Sequence, residues 1–256
     1  MYAQRVVFRV IARLDVKPPS LVKGIHLEGF RRLGSPDEFA RRYYAAGADE
    51  ILYQDVVASL YGRNSIDDVL QQSVSHIFIP KTVGGGVRSV ADGTRLMRSG
   101  ADRLSINTAA VDSPGLIREL SNEFGRQAIV VTIEVKKRAD SWLIMTNSGR
   151  EHTSMTVDHW VTLVGDQGAG EIVLTSIDQE GTLKGFDLEL LSVVRAMTDL
   201  PIVLHGGGCS TADVVSAAQL GANAVALASL LHYNHETIGS IKQGLAHAGI
   251  EVRRDA

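Results

Sequence analysis

Two glycine triplets are the residues of this sequence that point most directly to a chemical role. One comprises Gly84, Gly85 and Gly86, and the other comprises Gly206, Gly207 and Gly208. Glycine lets backbone N–H groups approach an anion closely, so each triplet predicts a phosphate-binding turn. A single triplet is also typical of a tight turn between a strand and a helix. Two triplets at matching positions favour a ligand with a phosphate at each end.

Each triplet has a partner segment that is expected to complete a phosphate cradle. A strand end followed by a helix start presents free backbone N–H groups to an anion. The expected partners are Ser105, Asn107 and Thr108 for the first triplet and Ser229 for the second. His205 ends the strand before the second triplet in the inward phase, and we predict that it lies at the same site.

Charged residues at the predicted strand ends supply the acid–base chemistry. Asp15 and Glu134 end the first and fifth strands, where they are placed to act as a general acid–base pair. Asp178, in a polar loop after the sixth strand, is predicted to bind substrate. Lys23 belongs to the long first loop, from which a cation can close over an anionic substrate. The simpler alternatives are solvated carboxylates and an exposed loop lysine.

Eight short apolar runs, rich in valine and isoleucine, carry these residues. They span residues 6–14, 50–56, 78–83, 103–106, 128–135, 171–177, 201–204 and 224–228. Such runs are typical of strands buried on both faces. Helical patterns lie between most of them, with start signals at Ser35, Ser113 and Ser210. The alternation predicts an α/β fold, a (β/α)8 TIM barrel forming a single domain over residues 1–256. An open doubly wound sheet is the alternative.

The two halves of the chain repeat each other at a near-constant spacing. The triplets lie 122 residues apart, Asp15 and Glu134 lie 119 apart, and Asp55 and Asp178 lie 123 apart. Three offsets this similar predict two stacked half-barrels. In such a barrel the active site lies at the carboxyl ends of the strands, where all of these residues are expected.

The first strand carries charge on the face opposite to its apolar one. Alternate side chains of a strand point to opposite faces, so residues 9, 11, 13 and 15 share a face. If this face and the matching phases of other strands point inward, four charges meet at the amino-terminal bottom of the barrel. These are Arg9, Glu50, Arg103 and Glu171. Isolated buried ions are costly, so we expect these four charges to pair with one another in a ring. Such a ring is either a plug or a gate to a tunnel.

The overall composition excludes several other classes of function. A net charge of −3 gives no reason to expect nucleic acid or a membrane as partner. Cys209 is the single cysteine, and no His, Asp or Glu spacing resembles a metal site, so no metal or cofactor is predicted. Arg5 and Arg9 interrupt the first apolar run, so we expect no signal peptide and a cytoplasmic location.

Five stretches of the chain resemble the cyclase subunit of imidazole glycerol phosphate synthase. They are ARLDVK at 12–17, LVKG at 21–24, TVGGG at 82–86, SINTAA at 105–110 and GAGEIVLTSID at 168–178. The resemblance implies a barrel that takes ammonia from a glutaminase subunit docked at its bottom. It implies that ammonia passes the charged ring, with arginine at one position where the family has lysine, and reaches a bisphosphorylated ribonucleotide. The implied products are imidazole glycerol phosphate and an aminoimidazole carboxamide ribonucleotide, with Asp15 and Glu134 as acid–base residues and Lys23 as the loop lysine.

The chain also departs from that family at the proposed chemistry. Glu134 stands where the family has aspartate, and Arg13 and His205 replace small residues. The first loop lacks the usual Asp-Gly after its lysine. This combination resembles a paralogous branch associated with bacterial surface polysaccharides, in which ammonia is fed into amidino-sugar formation. The departures slightly favour that branch over histidine biosynthesis. A related sugar-phosphate isomerase and a non-catalytic ammonia conduit are further alternatives.

Overall fold

The structure of the chain is a computed structural model that describes residues 7–58 and 66–253. Its strands, in chain order, are β1 (Arg9–Lys17), β2 (Ser20–Ile25), β3 (Glu28–Gly34), β4 (Glu50–Asp55), β5 (Lys81–Gly84), β6 (Arg103–Ile106), β7 (Ile129–Arg138), β8 (Ser141–Thr146), β9 (Glu151–Thr156), β10 (Glu171–Ser176), β11 (Ile202–His205) and β12 (Ala224–Leu227). Eight of them form the barrel wall. β1 pairs in parallel with both β4 and β12, and β7 pairs in parallel with both β6 and β10. The remaining parallel pairs close the circle.

The closed barrel predicted from the sequence is confirmed, and the parallel pairing of β1 with β12 excludes the open sheet. Each of the eight apolar runs overlaps one wall strand. The predicted start of the first run at Val6 lies outside the described residues. A single domain over residues 1–256 stays a prediction.

Helices cover the outside of the wall. Within the described ranges they are α1 (Pro36–Ala45), α2 (Asp67–Val74), α3 (Val90–Arg98), α4 (Thr108–Asp112), α5 (Gly115–Phe124), α6 (Val157–Asp166), α7 (Leu188–Arg195), α8 (Thr211–Gln219), α9 (Ser229–His232) and α10 (Ile238–His247). Of the three start signals, Ser210 caps its helix through its hydroxyl, Ser35 is the N-cap of α1 without a side-chain hydrogen bond, and Ser113 lies one residue before the N-cap of α5. The Ser210 hydroxyl accepts a hydrogen bond from the backbone N–H of Asp213, and Pro36 opens α1. None of the helices described is long and apolar enough to cross a membrane.

Two antiparallel extensions follow the wall strands that begin each half of the chain. β2 pairs with the end of β1 and with β3, and β8 pairs with the end of β7 and with β9. Both extensions grow from the carboxyl end of their wall strand and therefore stand at the mouth. Their matching positions agree with the half-length repeat. The first of them lies where the sequence predicts a long loop.

The core lies in two layers, which settles the direction of the charged face of β1. Val10, Ala12 and Leu14 belong to the large cluster between the wall and the helices. Ile11 instead packs inside the barrel against apolar side chains from five other wall strands. They are Leu52, Val130, Val173, Val203, Ala224 and Ala226. The face that carries Ile11 and the charged residues of β1 therefore points into the barrel.

Candidate active site

The four charged residues predicted at the barrel bottom meet there as one ring. Arg9 Nη1 lies 2.8 Å from Glu50 Oε2, and the other Nη of Arg9 pairs with Glu171. Arg103 Nη1 lies 2.5 Å from Glu171 Oε2 and 3.4 Å from Glu50 Oε2. The alternation of charge is complete, because each glutamate contacts both arginines.

Burial and pairing oppose each other in this ring. Burial raises the pKa of Glu50, and the guanidinium groups of Arg103 and Arg9 act against that rise. Burial acts to lower the pKa of Arg9, but Glu171 and Glu50 raise it overall. The Arg9 side chain is 27% exposed whereas that of Glu50 is 4% exposed, so the ring presents its arginines to solvent. Its role as a gate stays a prediction.

At the opposite end, Asp15 is held between two cations. Arg13 Nε donates to Asp15 Oδ1 at 2.8 Å, and Lys23 Nζ lies 3.6 Å from Asp15 Oδ2. All three side chains are buried. Burial acts to raise the pKa of Asp15, but Arg13 and Lys23 outweigh it and hold this pKa well below its usual range. Asp15 is therefore a fixed anion near neutral pH.

Lys23 is anchored by a residue that the sequence analysis did not single out. Glu180, fully buried in the loop after β10, pairs with Lys23 Nζ, and its Oε2 accepts a hydrogen bond from the backbone N–H of Leu27 at 2.9 Å. Leu27 packs against Met145 and Ile177, so the extension after β1 is fastened across the mouth. Glu180 lies two residues after Asp178 in the same polar loop. This closeness to a predicted site residue is the sequence signal that could have pointed to Glu180.

Glu134 differs from Asp15 because no cation forms an ion pair with it in the described structure. Asn107 Nδ2 donates to Glu134 Oε2 at 3.0 Å. Burial raises the pKa of Glu134 to about 7, against the attraction of Arg13 and with the repulsion of Asp15 and Glu180. A carboxyl group with this pKa exchanges protons near neutral pH, as general acid–base catalysis requires.

His205 is buried and neutral. Its Nδ1 donates to the carbonyl oxygen of Ala226 at 2.8 Å, which leaves Nε2 as an acceptor. Burial and the nearby Arg13 lower the pKa of His205 well below its usual value. Nε2 has no hydrogen-bond partner among the described residues.

Most of the predicted ligand-binding residues line one of two cavities at the mouth. The first cavity, of about 220 Å³, is lined by Gly85, Gly86, Ser105, Asn107, Thr108 and Glu134 among others. The second, of about 20 Å³, is lined by Lys23, His205, Gly206, Gly207, Gly208 and Ser229 among others. The two triplets thus belong to separate spaces, and the second holds little more than one water.

The tight-turn alternative for the triplets has physical support as well. Gly85 has a φ of +103°, and a Cβ there would lie 2.6 Å from the carbonyl oxygen of Asp55. Gly206 has a φ of +99°. The turns therefore require glycine whether or not they bind phosphate.

Three residues predicted at the mouth lie outside both cavity linings. Gly84 is the last residue of β5, and Asp15 is enclosed by its cations. Asp178 accepts a hydrogen bond at 2.8 Å from the backbone N–H of Lys137 on the exposed side of the mouth. This contact gives no support to substrate binding by Asp178. No group of three or more potential metal-ligating side chains occurs in the described residues.

The fold and site define a class of protein: a (β/α)8 barrel with glycine-rich turns and carboxylates at its mouth and a ring of paired charges at its bottom. The family model described as "Histidine biosynthesis protein" matches residues 9–237, and the chain belongs to that family. Similar proteins carry the name imidazole glycerol phosphate synthase subunit HisF. One from Legionella pneumophila is 53% identical over 200 residues, covering 78% of this chain and 94% of the relative.

Two further relatives of the same name extend the match over almost the whole chain. The Leifsonia xyli subsp. xyli protein is 43% identical over 251 residues, covering 97% of this chain and 99% of the relative. The Dictyoglomus thermophilum protein is 42% identical over 248 residues, covering 96% and 98%. The chain is thus an enzyme of the imidazole glycerol phosphate synthase cyclase type.

Proposed function

We propose that this chain is the cyclase subunit of an imidazole glycerol phosphate synthase of histidine biosynthesis. In this role it receives ammonia from a glutaminase subunit at the barrel bottom. It then joins the ammonia to a bisphosphorylated ribonucleotide at the mouth. The names of the relatives support this acceptor over the polysaccharide branch that the sequence departures favour.

The observation that carries the proposal is the inward face of β1, which links the two ends of the barrel. Arg9 stands in the charged ring, Ile11 lies in the apolar interior, and Asp15 lies at the mouth. A plug that only stabilised the fold would not need four charges, because apolar side chains fill such a position at lower cost. The apolar interior above the ring suits neutral ammonia, whereas an ammonium ion would lose its hydration there.

An exposed aromatic patch at the barrel bottom supports docking of the glutaminase. Phe78, just before β5, is 74% exposed, and Val74 at the end of α2 is also exposed. The rings of Tyr44 and Phe78 lie 6.3 Å apart. These residues belong to the amino-terminal ends of the strands, the same end as Arg9. Tyr44 is partly buried, whereas Phe78 and Val74 are exposed, and exposed apolar side chains that lie together are typical of protein-binding surfaces.

At the mouth, the first cavity suits one phosphate and the reacting part of the substrate. Gly85 and Gly86 line the same cavity as Glu134. Glu134 near its pKa is suited to take a proton from the attacking ammonia and to return it to the leaving group. Asp15 beside it stabilises positive charge that develops on the substrate.

The polysaccharide-type acceptor is a second candidate, and the second cavity favours it. A bisphosphorylated ribonucleotide needs room for a phosphate at each cradle. The side chain of His205 helps to line a space of only about 20 Å³ beside Gly206 and Gly207. Binding the ribonucleotide therefore requires this space to widen, whereas an acceptor with one phosphate does not.

The deciding experiment mixes the purified chain with ammonium chloride and the bisphosphorylated ribonucleotide at pH 8 and measures the aminoimidazole carboxamide product. We expect turnover, with Glu134→Gln lowering kcat at least about 100-fold, since general acid–base catalysis contributes about that much or more. Glu189→Gln is the matched control, because Glu189 is exposed on α7 and lines neither cavity at the mouth. No turnover by the unaltered chain, with phosphate still bound at the first cavity, would favour the second candidate.

A glutaminase subunit supplies an independent experiment on the barrel bottom. With the cognate glutaminase and glutamine in place of ammonium chloride, the same product is expected. Phe78→Ser is expected to weaken the complex while leaving turnover with ammonium chloride intact, because Phe78 lies far from the mouth. If the glutaminase neither binds nor is stimulated, the ammonia-receiving role is wrong.

A further inference from the structure

Arg13 is the residue at the mouth whose presence the proposed reaction does not explain. Its side chain is 1% exposed, and it stands on the inward face of β1 between Ile11 and Asp15. Nε makes the hydrogen bond to Asp15, whereas neither Nη has a hydrogen-bond partner among the described residues. Burying a guanidinium group lowers stability unless ion pairs and hydrogen bonds offset the loss of its hydration.

The charges around Asp15 and around Glu134 are arranged unequally. Asp15 faces Arg13 on its own strand, Lys23 on β2 and the neutral His205 on β11. Glu134, on β7, faces Arg13 and Asp15 from β1 and Glu180 from the loop after β10. Asp15 thus contacts two cations, whereas Glu134 hydrogen-bonds to an amide and faces two carboxylates.

We infer that Arg13 is a positioning residue that fixes Asp15 as a permanent anion and leaves Glu134 as the group that gains and loses protons. Arg13 does this by bonding one carboxylate directly while attracting the other only through space. The two acids therefore stop being interchangeable. One supplies a constant negative charge, and the other carries the proton between ammonia and the leaving group. Only that last consequence rests on the proposed function.

The inference has a direct test that needs no substrate. In protein labelled with ¹³C at the glutamate and aspartate carboxyl carbons, NMR follows each group as the pH is changed. Glu134→Gln and Asp15→Asn identify the two signals. We expect the Glu134 signal to titrate near pH 7 and the Asp15 signal to stay that of an anion down to pH 4.

Two variants of Arg13 separate its charge from its packing. Arg13→Met removes the charge and keeps an unbranched apolar chain, and we expect the Asp15 midpoint to rise by about 1–3 pH units. The Glu134 midpoint is expected to rise too, since Arg13 acts to lower it. Arg13→Lys keeps the cation and is expected to preserve the order of the two midpoints. It also serves if Arg13→Met does not fold.

The results that overturn the inference are specific. They are an unaltered protein in which Asp15 and Glu134 titrate together below pH 5, or an Arg13→Met protein that keeps both original midpoints. The proposed function fails separately. In that case the chain shows separated midpoints but no turnover of the ribonucleotide with ammonium chloride. If turnover occurs, the pH at which its rate changes is expected to match the titration midpoint of Glu134, in both the unaltered chain and Arg13→Lys.

Discussion

Replacing Glu134 by glutamine is expected to stabilise the protein in a pH-dependent way. Burial raises the pKa of Glu134 from its ordinary value of 4.5 to about 7, so between these values the folded protein binds a proton that the unfolded chain releases. The folded state therefore loses stability as the pH rises from about 4.5 to about 7 and loses no more above that. At 1.36 kcal/mol for each pH unit, the full loss is about 3 kcal/mol.

Glutamine has nearly the same shape and no charge, and its oxygen still accepts the hydrogen bond from Asn107. Urea denaturation is therefore expected to show Glu134→Gln more stable than the unaltered chain by up to about 3 kcal/mol at pH 8 and nearly equal to it at pH 4. Glu189→Gln is the matched control, because Glu189 is exposed and its pair with Lys137 is worth at most about 1 kcal/mol. A loss of stability at pH 8, or the same gain at both pH values, would refute the reasoning.

Four further substitutions test other parts of the structure. Asp15→Asn is expected to cost about 3–5 kcal/mol at pH 7 in urea denaturation, because it leaves the buried Arg13 without an ion pair. This cost should shrink as the pH falls below about 4, where an unfolded Asp15 is protonated in the unaltered chain. Glu171→Gln is expected to lower the free energy of unfolding by at most about 3 kcal/mol, because the arginines beside it are partly exposed. It is also expected to lower glutamine-driven product formation relative to glutamine hydrolysis. Phe78→Ser should raise the Kd for the glutaminase at least about tenfold by titration calorimetry, whereas Tyr233→Ser at the mouth should not change it. Gly85→Ala should lower stability by about 1–3 kcal/mol or more, measured by thermal unfolding, because its φ is positive and its Cβ meets a carbonyl oxygen.

The wall of the barrel was predictable because each wall strand is a short apolar run with helical patterns around it. The two antiparallel extensions were not. β3 and β9 are largely exposed and polar, so neither carries the alternation that a half-buried strand requires. They form by pairing with β2 and β8, which is a tertiary contact that composition does not reveal.

The charged ring followed from strand phase, because inward and outward positions alternate regularly in every wall strand. The contacts at the mouth depend on loops instead. The sequence predicts that Lys23 closes over an anionic substrate. In the structure it pairs with Glu180 and lies near Asp15. The carboxylate beside Lys23 comes from a loop 157 residues later, and no local pattern relates the two positions.

At each end of the barrel, two buried or partly buried cations are paired with two carboxylates. This balance explains why Glu134 is the group at the mouth that titrates. The ring at the bottom pairs two arginines with two glutamates. At the mouth, Arg13 pairs with Asp15, and Lys23 pairs with Glu180, which also balances two cations against two anions. Glu134 is the third carboxylate in the same buried region and has no ion-pair partner among the residues described. Neutrality of this group of charges is reached when Glu134 holds a proton. Arg13, the cation that departs from the family pattern, thus lowers the proton affinity that burial gives to Glu134, the acid that departs from it.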